Sequence, residues 1–323
     1  MYCMRNILIL FLCLNISIPL SFGQRIDNLS SFRDVPSTQY LRFNYDNDLF
    51  VGTDQNYTQG FSLEYVSPFL KKNPINYLFF KPKNTETRYG LAIEHNSFTP
   101  DRYFVPEIQL GDRPFSAALM LKSFVISTDT IKASRFTSSF IIGMIGQAAL
   151  GEEIQIGIHK VTDSETPLGW PNQIQNDVVL NYGFGYEKQL VRFRDFFSIQ
   201  ANANGKLGTL FTNGSVGINA TIGILNSPFS SIKSKNNFNF YVFAQPLINI
   251  IGYDATLQGG VFDRKSPYSI SSVDIERFTG QFNYGIVLRI KTFYLEYSGA
   301  LITREFKTGG SAKWGGVKIG VML

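Results

Sequence analysis

Residues 281–290 are QFNYGIVLRI, and this stretch shows the pattern that decides the fold. Apolar side chains occupy the even positions from Phe282 to Ile290, whereas Asn283 and Arg289 lie between them. A period of two places successive side chains on opposite faces of a β-strand. The sequence therefore predicts strands that have one apolar face and one polar or small face. The same alternation occurs in residues 41–46, 60–66 and 317–323.

The alternating segments cover most of the chain, and several are as long as a membrane-crossing strand, which needs about 9–11 residues when tilted. A soluble β-sandwich would also alternate. Long strands, aromatic residues gathered towards strand ends and a signal for export favour a membrane barrel instead. We therefore predict an all-β fold, a single transmembrane antiparallel β-barrel in residues 24–323. The twelve predicted strands are 39–46, 58–67, 87–97, 115–127, 134–145, 177–190, 196–210, 213–226, 237–254, 277–290, 292–304 and 313–323.

The export signal is at the N-terminus. Arg5 precedes an apolar run in residues 7–14, and a small residue, Gly23, follows. A basic start, a short apolar centre and a small-residue exit are typical of a secretory signal peptide, so residues 1–23 are predicted to be removed before Gln24. The alternative is an N-terminal anchor helix, which would need about 20 apolar residues to cross a bilayer. The run is shorter than that.

Composition excludes several other classes of protein. The 323 residues are 44% hydrophobic and 17% charged, which is too apolar for a disordered chain. Cys3 and Cys13 both lie in the predicted signal peptide, so we expect no disulfide and no Cys-ligated metal in the exported protein. The formal charge of +5 includes no basic run interleaved with aromatic residues, as a nucleic-acid groove would have. We expect a monomer in the bacterial outer membrane without a nucleic-acid partner.

The connections between strands are predicted to differ in length. Residues 212–214 (Thr-Asn-Gly) predict a tight turn and residues 255–276 a long loop, as in barrels with short periplasmic turns and long outer loops. Residues 146–176 lack the period of two. Gln155 and His159 are spaced i, i+4 in this segment, which predicts a short helix in an outer loop with both side chains on one face.

Two polar segments carry charged residues in unusual combinations. Residues 44–60 join the first two strands and contain three Asp residues with amides and hydroxyls, the oxygen ligands that a hard cation such as calcium takes. An ordinary Asx-rich turn has the same composition. Residues 111–117 contain Asp112 and Arg113, a pair that could fix a loop or bind a phosphate.

The chain has only two histidines, which limits the candidates for a general base. His159, in the predicted outer loop among Glu and Gln residues, could serve as that base, although a surface histidine without a task would look the same. His95 follows Leu91 and Ile93 on the apolar parity of the third strand and is interpreted as a rim residue. No nucleophile elbow, Walker loop, zinc-protease motif or dinucleotide fingerprint occurs.

Taken together, the polar segments resemble the outer-membrane lipid A 3'-O-deacylases. The similarity runs in order along nearly the whole exported chain, and it is specific only in combination. The matching motifs are Asn47-Asp48 before Tyr57-Thr58-x-Gly60, Gly111-Asp112-Arg113-x-Phe115-Ser116-Ala117, Gln155-x-x-x-His159, Trp170-x-x-Gln173-Ile174-x-Asn176, Thr256-Leu257-Gln258-Gly259 and Arg304-Glu305-Phe306-Lys307-Thr308-Gly309.

This resemblance implies a twelve-stranded barrel with a calcium-dependent esterase site near its outer rim, between the barrel wall and a loop helix. The implied substrate is lipid A of lipopolysaccharide. His159 is similar to the general base that takes a proton from water, and Gln155 would orient it. Asp48 and Glu165 correspond to acidic residues of the site and are the implied Ca²⁺ ligands.

The remaining implied roles concern the oxyanion and the lipid A phosphate. Asn47 and Thr58 would assist the oxyanion or position the substrate, and Arg113 is a candidate substrate-binding residue. The chain departs from the family pattern at residues 95–100, which are HNSFTP. The basic residues that family members can place after this motif are reduced to Arg102, the second candidate contact to substrate. We expect a differently phosphorylated lipid A as substrate.

Two other functions fit the same sequence. A barrel that only binds or transports would keep its polar loops as a rim, and its function would survive loss of His159. An esterase of the same design could instead act on a glycerophospholipid, since ester chemistry does not specify the head group.

Overall fold

The computed structural model describes Val35 and residues 37–51, 57–229 and 237–323. The predicted signal peptide, residues 1–23, and Asp54 of the acidic segment lie outside the described residues. All twelve predicted strands are confirmed, with ends that differ by a few residues. They are β1 (Tyr40–Asn47), β2 (Gln59–Val66), β3 (Glu86–Phe98), β4 (Ser116–Asp129), β5 (Ser134–Ile145), β6 (Asp177–Phe193), β7 (Phe197–Gly208), β8 (Phe211–Ile224), β9 (Phe238–Asp254), β10 (Phe278–Ile290), β11 (Phe293–Ile302) and β12 (Ala312–Met322).

The strands form a closed antiparallel barrel. Each pairs with its neighbours in the chain, and β1 also pairs with β12. Closure leaves no strand edge with unpaired backbone groups, which a sheet inside a bilayer requires. The fold prediction is therefore confirmed.

Helices are short and lie in the connections. The predicted helix of the outer loop is confirmed as α1 (Gly151–Thr162), and α2 (Ala255–Gln258) is a single turn after β9. No helix in the described part of the chain is long and apolar enough to cross a membrane. The 3-10 helices are Asp48–Val51, Pro68–Lys72, Pro74–Leu78, Gln147–Ala149 and Trp170–Asn172.

The barrel has two different ends. One, here named the site end, carries the connections 48–58, 99–115, 146–176, 209–210, 255–277 and 303–311. The other, the terminal end, carries the connections 67–85, 130–133, 194–196, 225–237 and 291–292. Gln39 and Leu323 are joined there by a backbone hydrogen bond of 3.0 Å.

The predicted tight turn at residues 212–214 is wrong. These residues belong to β8, and the tight link is Thr209–Leu210. This short link lies at the same end of the barrel as the long connection 255–277. The prediction that these short and long connections lie at opposite ends is therefore also wrong. The physical reason lies on β6, where the side-chain oxygen of Asn181 accepts from the backbone N–H groups of Leu210 and Phe211, at 2.8 and 3.2 Å.

The two faces of the wall differ as the alternation predicts. One parity, which we call outward, carries exposed apolar side chains such as Phe43, Leu63 and Ile93. The inward parity is buried and rich in charge. Its ion pairs are Arg42–Glu64, Lys122–Glu94, Arg135–Glu187 and Lys318–Glu296.

An apolar cluster fills the interior towards the terminal end. It joins Phe124 of β4 to residues of the facing wall, Phe243 of β9 and Tyr294 of β11, and includes Val35 from the segment before β1. Side chains from opposite walls therefore meet across the interior. Together with the paired charges, they make the interior a packed core.

Candidate active site

The outward face of the wall becomes polar at the site end. Asn47, Gln59 and Ser97 are register partners on β1, β2 and β3 and share the outward parity. Leu63, farther along β2 on the same parity, is 43% exposed, whereas Gln59 and Ser97 are 1% and 0% exposed. Polar side chains on a lipid-facing parity are buried only where another part of the chain covers them. This row therefore marks a covered crevice on the outside of the barrel.

The cover is the connection 146–176. A Cβ atom built on Gly151, the first residue of α1, would lie 2.5 Å from Ala117 Cβ on β4 and 2.5 Å from the Trp170 ring. Ala117 is the register partner of Ser97, so the helix begins directly on the polar row. His95 Nε2 lies 3.0 Å from the carbonyl oxygen of Ala149, just before the helix. His95 is thus a buried rim residue.

The sequence of α1 explains which face of the helix is buried. Gln155 and His159 are buried one turn apart on the same face, as the i, i+4 spacing predicts. Glu152 and Glu153 occupy the first turn and Lys160 the last. The helix dipole stabilises negative charge at the N-terminal end and positive charge at the C-terminal end, so all three charges are favourably placed. The buried face of the helix is therefore polar, not apolar.

His159 is held by a backbone carbonyl. Its Nδ1 lies 2.5 Å from the carbonyl oxygen of Glu165, and the ring of Tyr103 packs edge-on at 5.3 Å between centroids. A carbonyl only accepts, so Nδ1 carries a proton. In the neutral imidazole this leaves Nε2 as the acceptor, which is the state of a general base.

Gln155 is fixed by the indole of Trp170. Trp170 Nε1 donates to Gln155 Oε1 at 2.6 Å, and both side chains are buried. Gln155 Nε2 is also buried and has no hydrogen-bond partner in the described residues. A buried amide donor without a partner costs free energy unless a ligand or water satisfies it. Gln155 therefore offers two N–H groups to a bound molecule.

Asn47, Asp48 and Thr58 lie where β1 ends and β2 begins. All three are buried, and Asn47 is the register partner of Gln59, the residue after Thr58. Thr58 Oγ1 is 2.7 Å from Thr99 Oγ1. Asn47 Nδ2 donates to the Tyr45 hydroxyl at 3.2 Å.

The segment 99–103 connects this strand end to the helix. Thr99 contacts Thr58, and Tyr103, four residues later, contacts His159. Thr58 and His159 therefore both contact this one segment of five residues.

Glu165, a predicted Ca²⁺ ligand, is placed differently from the buried Gln155 and His159. The carboxylate of Glu165 is exposed, and its backbone carbonyl is the group that contacts His159. In residues 37–51, 57–229 and 237–323, no three His, Cys, Asp or Glu side chains are grouped as they are around a metal ion. The assignment of Asp48 and Glu165 as Ca²⁺ ligands stays a prediction.

The two predicted substrate-binding arginines have different surroundings. Arg102 is exposed on the connection 99–115. Arg113 is buried, with Nη1 2.7 Å from Glu305 Oε2, Nη2 3.0 Å from Thr256 Oγ1 and its guanidinium 4.2 Å from the Phe98 ring centroid. These contacts join three site-end connections and favour the loop-fixing interpretation of Arg113 over the phosphate-binding one. Burial raises the pKa of Glu305, and the Arg113 guanidinium opposes the shift.

Three residues of the crevice escaped prediction as site residues. They are Gln59, Ser97 and Trp170. A signal for the first two was present, because both are polar on a parity that is otherwise apolar and lipid-facing. The bond of Trp170 to Gln155 spans 15 residues, and no spacing rule predicts it.

Fold and crevice define an integral outer-membrane β-barrel with a polar site on its outer wall under a loop helix. A family model described as "Outer membrane protein LpxR" matches residues 8–323, and the chain belongs to this family. No curated protein matches the sequence.

Two solved structures are similar to this chain, and the first of them shows the same fold. LpxR from Salmonella typhimurium is similar with a TM-score of 0.72 and 20% identity, over 88% of this chain and 100% of that one. The β domain of the Bordetella autotransporter BrkA matches with a TM-score of 0.47 and 7% identity, over 89% of this chain and 100% of that one.

Proposed function

We propose that this protein is an outer-membrane esterase that hydrolyses the 3'-linked acyloxyacyl chain of lipid A, with His159 as the base that activates water. Membership of the LpxR family supports a lipid A deacylase. The observation that carries the proposal is the buried imidazole of His159, whose Nδ1 is held by the Glu165 carbonyl at 2.5 Å. One turn earlier, Gln155 Nε2 is buried and has no hydrogen-bond partner in the described residues.

The position of the crevice suits a lipid substrate. Its residues lie on the outside of the wall, on the parity that faces lipid, and not in the packed interior. A lipid A molecule in the membrane would therefore reach the site sideways, with its acyl chains still in the bilayer.

The residues of the crevice supply a complete ester hydrolysis. Nε2 of His159 takes a proton from water while the water oxygen bonds to the acyl carbonyl carbon. The Asn47 amide and the Thr58 hydroxyl are the donors proposed for the oxyanion. When the intermediate collapses, the bond from the acyl carbon to the sugar 3'-oxygen breaks, and His159 returns the proton to that oxygen. The products are a free carboxylic acid and a 3'-hydroxyl, so no serine nucleophile is needed.

Calcium dependence is part of the proposal, and the donor chemistry of the strand end fits it. Calcium takes oxygen ligands, and the Asp48 carboxylate supplies buried oxygens at this strand end. Asp48 would hold the ion, with the exposed carboxylate of Glu165 as a second ligand. A bound calcium would polarise the ester carbonyl and stabilise the oxyanion.

The motif at residues 95–100 is followed closely by one basic residue, Arg102, and this favours a second candidate of the same class, an esterase for glycerophospholipids. Its substrate would need fewer phosphate contacts than lipid A. Liposomes of phospholipid compared with purified lipid A separate the two candidates. A barrel that only transports is disfavoured by the packed interior.

The test is the mass spectrum of lipid A from cells that make the wild-type chain, the His159→Ala variant or neither, each with and without a chelator. We expect loss of the 3'-linked acyloxyacyl mass in the wild-type sample only, and reversal by the chelator. Identical spectra for wild type and His159→Ala would refute the proposal. Deacylation that survives complete chelation would refute the calcium step alone.

A further inference from the structure

The connection between β2 and β3 at the terminal end has an unusual composition. Residues 67–85 are SPFLKKNPINYLFFKPKNT, with four lysines and no acidic residue. All four lysines are exposed, and they are Lys71, Lys72, Lys81 and Lys83. The connection is therefore a local concentration of positive charge that the esterase site at the opposite end does not use.

This connection lies against the outside of the barrel. Asn73 Nδ2 donates to Ser123 Oγ of β4 at 3.2 Å, and the Tyr182 hydroxyl of β6 donates to the Leu78 carbonyl at 3.1 Å. The Ser138 hydroxyl of β5 donates to the Phe80 carbonyl at 3.4 Å. The three strand residues have the outward parity, so the connection crosses the lipid-facing side of three strands. Residues 67–85 are named the platform below.

The platform exposes aromatic rings beside its lysines. Phe69 is 70% exposed and Tyr77 is 91% exposed, and the side chains of Leu78 and Phe80 are also exposed. Lys72 Nζ lies 5.7 Å from the centroid of the Phe69 ring. Aromatic and basic side chains alternating on a surface at the edge of the bilayer are typical of segments that insert rings at the headgroup level and attract anionic lipid.

A groove accompanies the platform. It has a volume of about 420 Å³ and separates the 3-10 helix Pro68–Lys72 from the start of β3. Lys71, Thr87 and Arg88 are among its lining residues. The lining therefore includes an ammonium and a hydroxyl, both of which can donate to a phosphate, and the buried Arg88 adds positive potential.

We propose that the platform binds anionic phospholipid, with the headgroup phosphate in the groove beside Lys71 and the rings of Phe69 and Tyr77 between neighbouring lipids. The occupant is identified by charge complementarity, since the platform carries four exposed lysines and no acidic residue and lies on the lipid side of the wall. The proposal does not depend on the esterase activity.

The test is lipid retention by the full-length folded barrel, measured by native mass spectrometry during titration with phosphatidylglycerol or phosphatidylcholine. We expect preferential retention of phosphatidylglycerol. Lys71→Gln should weaken it roughly fivefold, since a lysine near an anionic surface contributes about that factor. Replacement of all four platform lysines by Gln should abolish the preference.

A matched control is Lys132→Gln, which removes an exposed lysine from another terminal-end turn and should change nothing. Heat-modified mobility on gels shows that each variant is folded. Equal retention of both lipids by the wild type would overturn the proposal, as would a preference that survives loss of the four lysines. A lysine-dependent retention of lipid A in place of phosphatidylglycerol would overturn it as well.

Discussion

Gly151→Ala should disable the site without touching a reacting group. The added Cβ would lie 2.5 Å from Ala117 Cβ on the wall and 2.5 Å from the Trp170 ring. Ordinary contact begins near 3.5 Å, so the start of α1 must move by about 1 Å or Trp170 must turn away. Overpacking of this kind costs about 1–3 kcal/mol.

The catalytic effect should exceed the effect on stability. Gln155 and His159 lie on the same helix face one and two turns after Gly151, so a shift of the helix start moves both. A misplacement of about 1 Å at a reacting group can lower a rate roughly 100-fold. We expect a deacylation rate lower by roughly that factor, in a barrel that remains folded because its strands are unchanged.

The same helix supplies the control. A Cβ on Gly157 would meet no atom within 4 Å. Gly157→Ala should therefore raise helix stability by about 1 kcal/mol or less and leave activity unchanged. The assay is a time course of purified lipid A with each variant, read by mass spectrometry, with folding checked by heat-modified mobility. Equal rates for the two alanine variants would refute the packing of α1 on the wall as the element that positions the base.

Three further predictions concern the surroundings of the base. Trp170→Phe removes the donor to Gln155 Oε1 and leaves that oxygen buried without its partner, which costs about 1–3 kcal/mol. The deacylation rate in the same lipid A time course should fall roughly tenfold. Arg113→Gln leaves Glu305 without its cation and should lower the free energy of local unfolding of the site-end loops by about 3 kcal/mol, which is measured as faster proteolysis of these loops. A change confined to KM for phosphorylated lipid A would indicate substrate contact instead. Asp48→Asn should raise the calcium concentration for half-maximal activity roughly tenfold, and an unchanged calcium titration would exclude Asp48 as a ligand.

The strands were predictable because a barrel wall in a bilayer imposes one repeating constraint. Each residue of β10 faces either lipid or the packed interior, and the side-chain types record that choice. The tight link before β8 was missed because Asn-Gly at 213–214 suggests a turn by local chemistry. The chain instead turns at Thr209–Leu210, where Asn181 of another strand binds the backbone.

The candidate site was predictable in part for a similar reason. The i, i+4 spacing of Gln155 and His159 is local, and the helix that it predicts is present. Residue type alone could not show that Glu165 offers its carbonyl to His159 while its carboxylate faces solvent. Nor could it show that Arg113 pairs with Glu305, 192 residues away in the chain.

The most direct test of the central claim is a single reaction in H₂¹⁸O with purified lipid A and the folded barrel, either wild type or His159→Gln. Water activated by His159 should place one ¹⁸O in the released carboxylic acid and none in the new 3'-hydroxyl. His159→Gln should release no acid above background. Wild-type rates in His159→Gln, or ¹⁸O in the sugar product, would contradict the account.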